Sequence, residues 1–381
     1  MSSRAAAELY IGLMSGTSLD GVDAVLVEFD GTTQAAMQLR GHVSQAFPAA
    51  LRTELMALNQ AGDNELHRAC LAANNVSRAY MQVTRTLLEE TKQSPESIRA
   101  LGAHGQTVRH RPGEFDGSGY TVQLLNGALL AELSMIDVVC DFRSRDVAAG
   151  GQGAPLVPGF HAAAFHQEGL PQAILNLGGM ANISLMPGVG SVSGFDCGPG
   201  NVLLDLWAEQ HLGKAYDDQG LWAASGVTDT ALLAKLLAEP FFSRRPPKST
   251  GRDLFNAYWL TTRLQSTDQQ PDRLPQDIQA TLAELTVRAA CDAVTTHQPD
   301  TQRLLVCGGG ALNRHLMRRL AELLPNIQVQ STATLGLPPL QVEAAAFAWL
   351  AKACLDRRPS NYPSVTGALG HRVLGAIFAG R

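Results

Sequence analysis

Seven residues, Ser15-Gly-Thr-Ser-Leu-Asp-Gly21, gather two glycines, three hydroxyls and a carboxylate between two apolar runs. Glycine lets peptide N–H groups approach an anion, and hydroxyls donate to phosphate oxygens or to metal-bound water. A hairpin turn needs only two loop residues, so this longer, hydroxyl-rich one is a candidate phosphate cradle. A second cradle is Cys307-Gly-Gly-Gly310, which follows an apolar strand and precedes a helix carrying Asn313 in its first turn. Free amides and a helix start there suit an anionic or heteroaromatic group. In Gly194-Phe-Asp-Cys-Gly-Pro-Gly-Asn201, Asp196 stands ahead of a helix start. That position favours its ionised form, as a general base requires, or serves a turn that caps the helix. Asp141-Phe-Arg-Ser-Arg-Asp146 could be a surface ion-pair network or could offer a bidentate clamp for a carboxylate. His104 and Thr107 sit at another strand end, where hydroxyls or amides of a ligand could be read, although a lone histidine is more often structural.

These residues need elements to hold them. Residues 9–13 and 22–29 read as strands on either side of the first turn. Apolar residues Leu66, Ala69, Ala73, Val76, Tyr80, Val83 and Leu87, spaced by threes and fours, predict a helix over 66–91. Short strands follow at 98–103 and 135–142. The stretch 148–158, rich in glycine and proline, is the expected passage between lobes. A strand–turn–strand over 173–186, with Gly178, Gly179 and Asn182 in its turn region, resembles the opening hairpin in kind and suggests two related lobes. Helices are expected at 201–212, capped by Asn201 and stopped by Gly213, at 278–296, capped by Asp277, and at 312–324 and 342–355. Strands alternating with helices make this an α/β protein.

Composition bounds the reading. The chain has 381 residues, 45% of them hydrophobic and 17% charged, with 36 glycines and a net charge of −5. That length predicts two lobes, and the balance excludes disorder, a coiled coil and a basic nucleic-acid footprint. The six cysteines form no CxxC pair and read as reduced core thiols. Met1 to Glu8 lacks the layout of a signal peptide, and no run approaches 18 apolar residues, so no membrane partner and a cytoplasmic location are expected. GxxxxGK[ST], GxGxxG, HExxH, HxxxH and GxSxG are all absent.

Six segments in order carry a specific resemblance. They are Leu9-Tyr-Ile-Gly-Leu-Met-Ser-Gly-Thr-Ser-Leu-Asp-Gly-Val-Asp23, Ala103-His-Gly-Gln-Thr107, Asp141-Phe-Arg-Ser-Arg-Asp-Val-Ala-Ala-Gly-Gly-Gln-Gly-Ala-Pro155, Phe195-Asp-Cys-Gly-Pro-Gly-Asn201, Lys248-Ser-Thr-Gly251 and Cys307-Gly-Gly-Gly-Ala-Leu-Asn313. From about residue 9 to the C-terminus, the chain resembles the 1,6-anhydro-N-acetylmuramic acid kinases of the sugar kinase, Hsp70 and actin superfamily. The resemblance implies two ribonuclease-H-like lobes in an actin- or hexokinase-like ATPase fold, with the active site in the cleft. The expected lobes are 1–145 with 346–381, and 146–345.

It also implies the reaction: water opens the anhydro ring while O6 takes the γ-phosphoryl group of ATP, with Mg²⁺, in the recycling of cell-wall peptidoglycan. The implied partner is the anhydro sugar, with neither nucleic acid nor membrane, and the implied assembly is a homodimer. By the same resemblance Gly16, Thr17, Ser18, Leu19, Asp20, Gly21, Val22 and Asp23 form the phosphate loop. Gly178, Gly179, Asn182, Gly308, Gly309, Gly310 and Asn313 form the second phosphate turn and the adenosine seat. Asp196 is the catalytic base, with Arg145, Thr107 and His104 on the sugar. Asp20, Asp23 and Glu343 are the candidates for positioning metal or water. One departure from the wider superfamily is Leu13, which stands where its sugar kinases usually carry an aspartate, so the metal's carboxylate is expected from Asp20 or Asp23. A kinase for an ordinary hexose or acetylated hexosamine is the nearest alternative. A nucleotide-driven chaperone would need a further peptide-binding domain, and a filament former would sediment with ATP.

Overall fold

The computed structural model describes residues 7–16, 18–30, 37–252, 254–265 and 273–381. The chain divides into two compact units, Met1–Phe165 with Gln341–Arg381, and His166–Leu340. The strands, in chain order, are β1 (Glu8–Met14), β2 (Gly21–Phe29), β3 (Met37–Ala46), β4 (Ile98–Ala103), β5 (Gln106–Pro112), β6 (Gly119–Leu124) and β7 (Val138–Cys140). They continue with β8 (Gln172–Leu177), β9 (Met180–Met186), β10 (Ser193–Pro199), β11 (Arg303–Cys307), β12 (Gln328–Ser331) and β13 (Ala376–Phe378).

In the first unit the sheet order is β13-β7-β4-β1-β2-β3, and in the second it is β10-β9-β8-β11-β12. Each unit therefore opens with an antiparallel meander of three strands, then adds two parallel strands on the other side of the first. This shared 3-2-1-4-5 order is the ribonuclease-H-like topology, and it occurs twice. All six residues of β8 and the middle of β1 are buried, as strands covered on both faces must be.

In the first unit the helix Glu65–Thr91 covers one face of the sheet with Ala72, Val76, Tyr80, Val83 and Leu87; the predicted stripe holds from Ala69 to Leu87, with Ala72 added to it, whereas Leu66 at its start is exposed. The helix Val342–Leu355 lies against β1 and β4 at backbone distance. A Cβ on Gly12 would sit 1.8 Å from the Ala344 carbonyl oxygen, and one on Gly102 would sit 2.0 Å from that of Phe347. These two glycines are needed for that close approach. In the second unit the long helix Pro275–His297 packs on β9 and β10.

Several expectations are corrected. The segment 146–165 stays with the first unit, so the division falls after Phe165 and again after Leu340. What holds it is Asp146, whose buried carboxylate accepts from Gly153 N, Asn361 Nδ2 and Thr366 Oγ1, each at 2.8 Å. The strand expected over 135–142 contracts to β7, because Met135 takes a left-handed helix cap and Asp141 also has φ of +55°. Asp277 is not the cap of its helix. Pro275 opens that helix, and the Asp277 carboxylate instead accepts from Val227 N at 2.7 Å. Gly213 closes the helix Val202–Leu212 with φ of +65°, as expected of a C-terminal glycine.

Candidate active site

In the first unit, three loops converge on the turn that follows β1. Ser15 Oγ shares a hydrogen bond with Tyr80 Oη at 2.8 Å and donates to Gly105 O at 3.1 Å. Gln106 Nε2 donates to Gly16 O at 3.1 Å. His104 is 5% exposed and packs on Phe347, with its Nδ1 3.0 Å from Ser15 O. Arg143 donates to His104 Nε2 through Nη2 at 2.9 Å, and through Nη1 to Gly153 O at 2.8 Å. These contacts fix the ring as the Nδ1–H tautomer, neutral, with both nitrogens engaged. Burial and then the Arg143 charge push its pKa down from 6.5 to about 3. Gly153 also donates to Asp146, so one network runs from Asn361 and Thr366 to the Ser15 carbonyl. His104 thus braces the turn from behind.

The loop residues divide by what surrounds them. A Cβ on Gly16 would meet nothing nearer than 3.7 Å, so its backbone is open, whereas Gly21 is required by packing, 2.2 Å from Gln45 O. The side chains of Leu19 and Val22 are buried in the core, leaving only their peptide groups for a ligand; Leu19 takes φ of +61°. Ser18 is half-buried, and Thr17 lies outside the described residues. Asp20 is exposed, 3.9 Å from Arg52, and Asp23 lies 3.3 Å from His42 Nε2. No cluster of three or more His, Cys, Asp and Glu side chains suited to a metal occurs among the described residues. Thr107 Oγ1 accepts from Gln123 Nε2 at 3.2 Å. Arg145 is exposed on the short helix Ser144–Ala148, and Glu343 is half-buried in the first turn of the helix Val342–Leu355.

In the second unit, Asn176, Asn182 and Asp196 are directly paired across β8, β9 and β10. Paired residues on antiparallel strands present their side chains on one face, so these three form a polar row. Asn176 Oδ1 and Asn182 Oδ1 are buried without a hydrogen-bond partner. Around them lie the glycine turns. Gly179 has nothing within 4 Å of a Cβ position, whereas Gly308, at φ of +78°, would put one 2.5 Å from Asn176 Oδ1. Gly200 N, Asn201 N and Val202 N donate to the carbonyls of Gly178 and Gly179, and Asn201 Nδ2 donates to Leu177 O at 2.8 Å. Asn201 therefore ties the two turns together and makes no side-chain cap. Gly309 remains open beyond 3.6 Å, and Gly310 is packed against Leu177. Asn313 caps the helix Arg314–Leu323 by accepting from Leu316 N at 3.1 Å.

Asp196 is half-buried, and Oδ2 of its carboxylate accepts from Thr250 N at 2.9 Å. Its own N–H donates to Lys248 O at 3.1 Å, so the 248–250 segment is bound to β10 at two points. Lys248 Nζ is held by Phe242 O at 3.1 Å and lies 4.8 Å from the Phe241 ring centroid. Burial lowers its pKa, opposed by the negative charge of Asp196. Thr250 Oγ1 is buried and has no partner. Sequence reasoning missed Asn176 and Thr250. The signal for Asn176 was its place in Asn176-Leu-Gly-Gly179, where an amide precedes the turn; Thr250 lay inside the segment Lys248-Ser-Thr-Gly251, but its pairing with Asp196 spans 54 residues and was not readable locally.

A model of the anhydro-N-acetylmuramic acid kinase family matches residues 8–380. The chain belongs to that family. The anhydro-N-acetylmuramic acid kinase of Variovorax paradoxus (strain S110) is 56% identical over 98% of this chain and 99% of its own length. Those of Cupriavidus pinatubonensis and Bordetella parapertussis are each 55% identical, over 98% and 97% of this chain and 99% and 96% of their own. Full-length anhydro-N-acetylmuramic acid kinase relatives at this identity make the chain a kinase of sugar metabolism. No helix among its described residues is long and apolar enough to cross a membrane.

Proposed function

We propose that this chain uses ATP and water to convert 1,6-anhydro-N-acetylmuramic acid into N-acetylmuramic acid 6-phosphate, in the cytoplasmic recycling of peptidoglycan. The observation that carries the reading is the Asp196 carboxylate, fixed by Thr250 N at the head of a row of buried amides, in a chain with family relatives at 56% identity. Asp196 takes a proton from water, whose oxygen bonds to C1. The C1–O6 bond breaks with its electron pair on O6, and O6 accepts the γ-phosphoryl group as ADP leaves. The proton passes to solvent. One base thereby serves both bond changes.

The open backbone of Gly16 and Gly179, and the unpartnered Oδ1 atoms of Asn176 and Asn182, suit a ligand bearing N–H donors, hydroxyls or hydrated metal. Gly16 to Asp23, with Thr17, would cradle phosphates, while Gly178, Gly179, Asn182 and Gly308 to Gly310 would hold the nucleotide. Asn313 would contribute through its place at the helix start. Arg145 and Thr107 would hold the sugar, whose lactyl carboxylate matches an exposed guanidinium. His104 would act through the turn it braces. Mg²⁺ is commonly held by one or two carboxylates together with substrate phosphates, so Asp20, Asp23 or Glu343 could hold it without a preformed cage. It would supply neutralisation of phosphate charge. A homodimer belongs to the same reading.

Asp196→Asn tests the assignment. The variant should keep the fold and lose on the order of 10²–10⁴ in kcat, the usual worth of a general base. Turnover near that of the unaltered protein would remove Asp196 from the role.

A further inference from the structure

We infer that the Thr250 hydroxyl contacts the attacking water, making Thr250 a second catalytic residue beside Asp196; this rests on the reading of Asp196 as the base. Three observations carry it. Thr250 N already grips Asp196 Oδ2 at 2.9 Å, so its side chain is anchored beside that carboxylate. Its Oγ1 is buried without a hydrogen-bond partner, the state of a buried polar atom that a bound water or ligand would satisfy. The backbone there is held rigidly, through Asp196 N to Lys248 O at 3.1 Å and Lys248 Nζ to Phe242 O at 3.1 Å.

The chemistry requires such a group. A water attacking C1 carries two protons, and Asp196 removes one. With a single acceptor the water can still rotate about that hydrogen bond, and its lone pair is not aimed. A second acceptor for the remaining O–H fixes the orientation, which is the positional advantage an enclosed site supplies. Thr250 Oγ1 accepts that hydrogen bond, while its own proton points elsewhere. The bonds made and broken are unchanged: water O to C1 forms, C1–O6 breaks, and O6 receives the phosphoryl group.

The test compares Thr250→Val, Thr250→Ser and Asp196→Asn in the full-length protein with ATP, Mg²⁺ and 1,6-anhydro-N-acetylmuramic acid. Melting temperatures serve as the control for folding. Val keeps the shape and the peptide N–H but removes the acceptor. Its kcat should fall about 10- to 100-fold, with KM for both substrates within about 3-fold. Ser, which keeps the hydroxyl, should recover kcat to within about 3-fold. Unchanged kcat in the Val variant, with Asp196→Asn impaired, would overturn the role of Thr250 alone. A Ser variant as slow as the Val variant would mark Thr250 as a packing residue and overturn it too. Normal turnover by Asp196→Asn would overturn the base assignment and this inference with it.

Discussion

Acidification should loosen the first unit through His104 by an amount that can be calculated. In the folded protein its pKa is about 3, and the ordinary value is 6.5. A folded pKa below the unfolded one means that the unfolded chain binds the proton first. Stability from this group is therefore complete above pH 6.5 and is lost as pH falls towards 3. At pH 5 the unfolded histidine is almost fully protonated and the folded one is not. The loss is about 1.4 kcal/mol for each of 1.5 units, or roughly 2 kcal/mol relative to pH 8. His110 and His161 are displaced in the same direction, to about 4 and about 3, so the whole protein will show a larger total. The variant His104→Gln isolates the share of His104, since glutamine does not titrate and its side-chain oxygen can still accept from Arg143. Native-state hydrogen exchange of the β1 peptides at pH 8 and pH 5, corrected for intrinsic rates, reads the opening free energy. The unaltered protein should lose about 2 kcal/mol more than the variant over that interval. Equal losses would refute the neutral, doubly engaged histidine.

Three further outcomes follow from the same contacts. Asp146→Asn leaves one acceptor oxygen for three donors and turns an NH2 towards at least one of them, so stability should fall by about 1–3 kcal/mol, measured by denaturant unfolding. Gly12→Ala drives a Cβ into the Ala344 carbonyl and Ala348 N, and overpacking of about 3 kcal/mol should lower Tm by about 6–12 °C in calorimetry. Arg145→Ala, at an exposed position, should leave Tm unchanged and raise KM for the sugar about 10- to 100-fold, with kcat little altered, in steady-state assays.

Much of the fold was legible because its signals are local. The stripe from Ala69 to Leu87 and the stop at Gly213 depend on periodicity and on one backbone angle, and both lie where expected, while Leu66 in the first turn is exposed. The helix Val342–Leu355 matches the span read from its apolar run. What escaped depends on tertiary partners. β3 has an alternating, half-exposed pattern; it is a strand because it completes the meander beside β2. Asn201 and Asp277 have capping chemistry, yet each is recruited by a distant backbone group, Leu177 O and Val227 N. The segment 148–158 looked like a linker by composition. It is instead fastened by Asp146 to residues more than 200 positions away. In the candidate site the glycine turns and Asp196 were visible as motifs, but the roles of Asn176 and Thr250 emerge only when strands and loops are paired in space.

The most direct test of the central claim is the mass of the product formed from 1,6-anhydro-N-acetylmuramic acid and ATP with Mg²⁺ in H₂¹⁸O, quenched before the anomeric oxygen exchanges. The account predicts a sugar that has gained both one phosphoryl group and one water, with the labelled oxygen at C1. A phosphorylated sugar with its anhydro ring intact, an opened sugar without phosphate, or no turnover would contradict it.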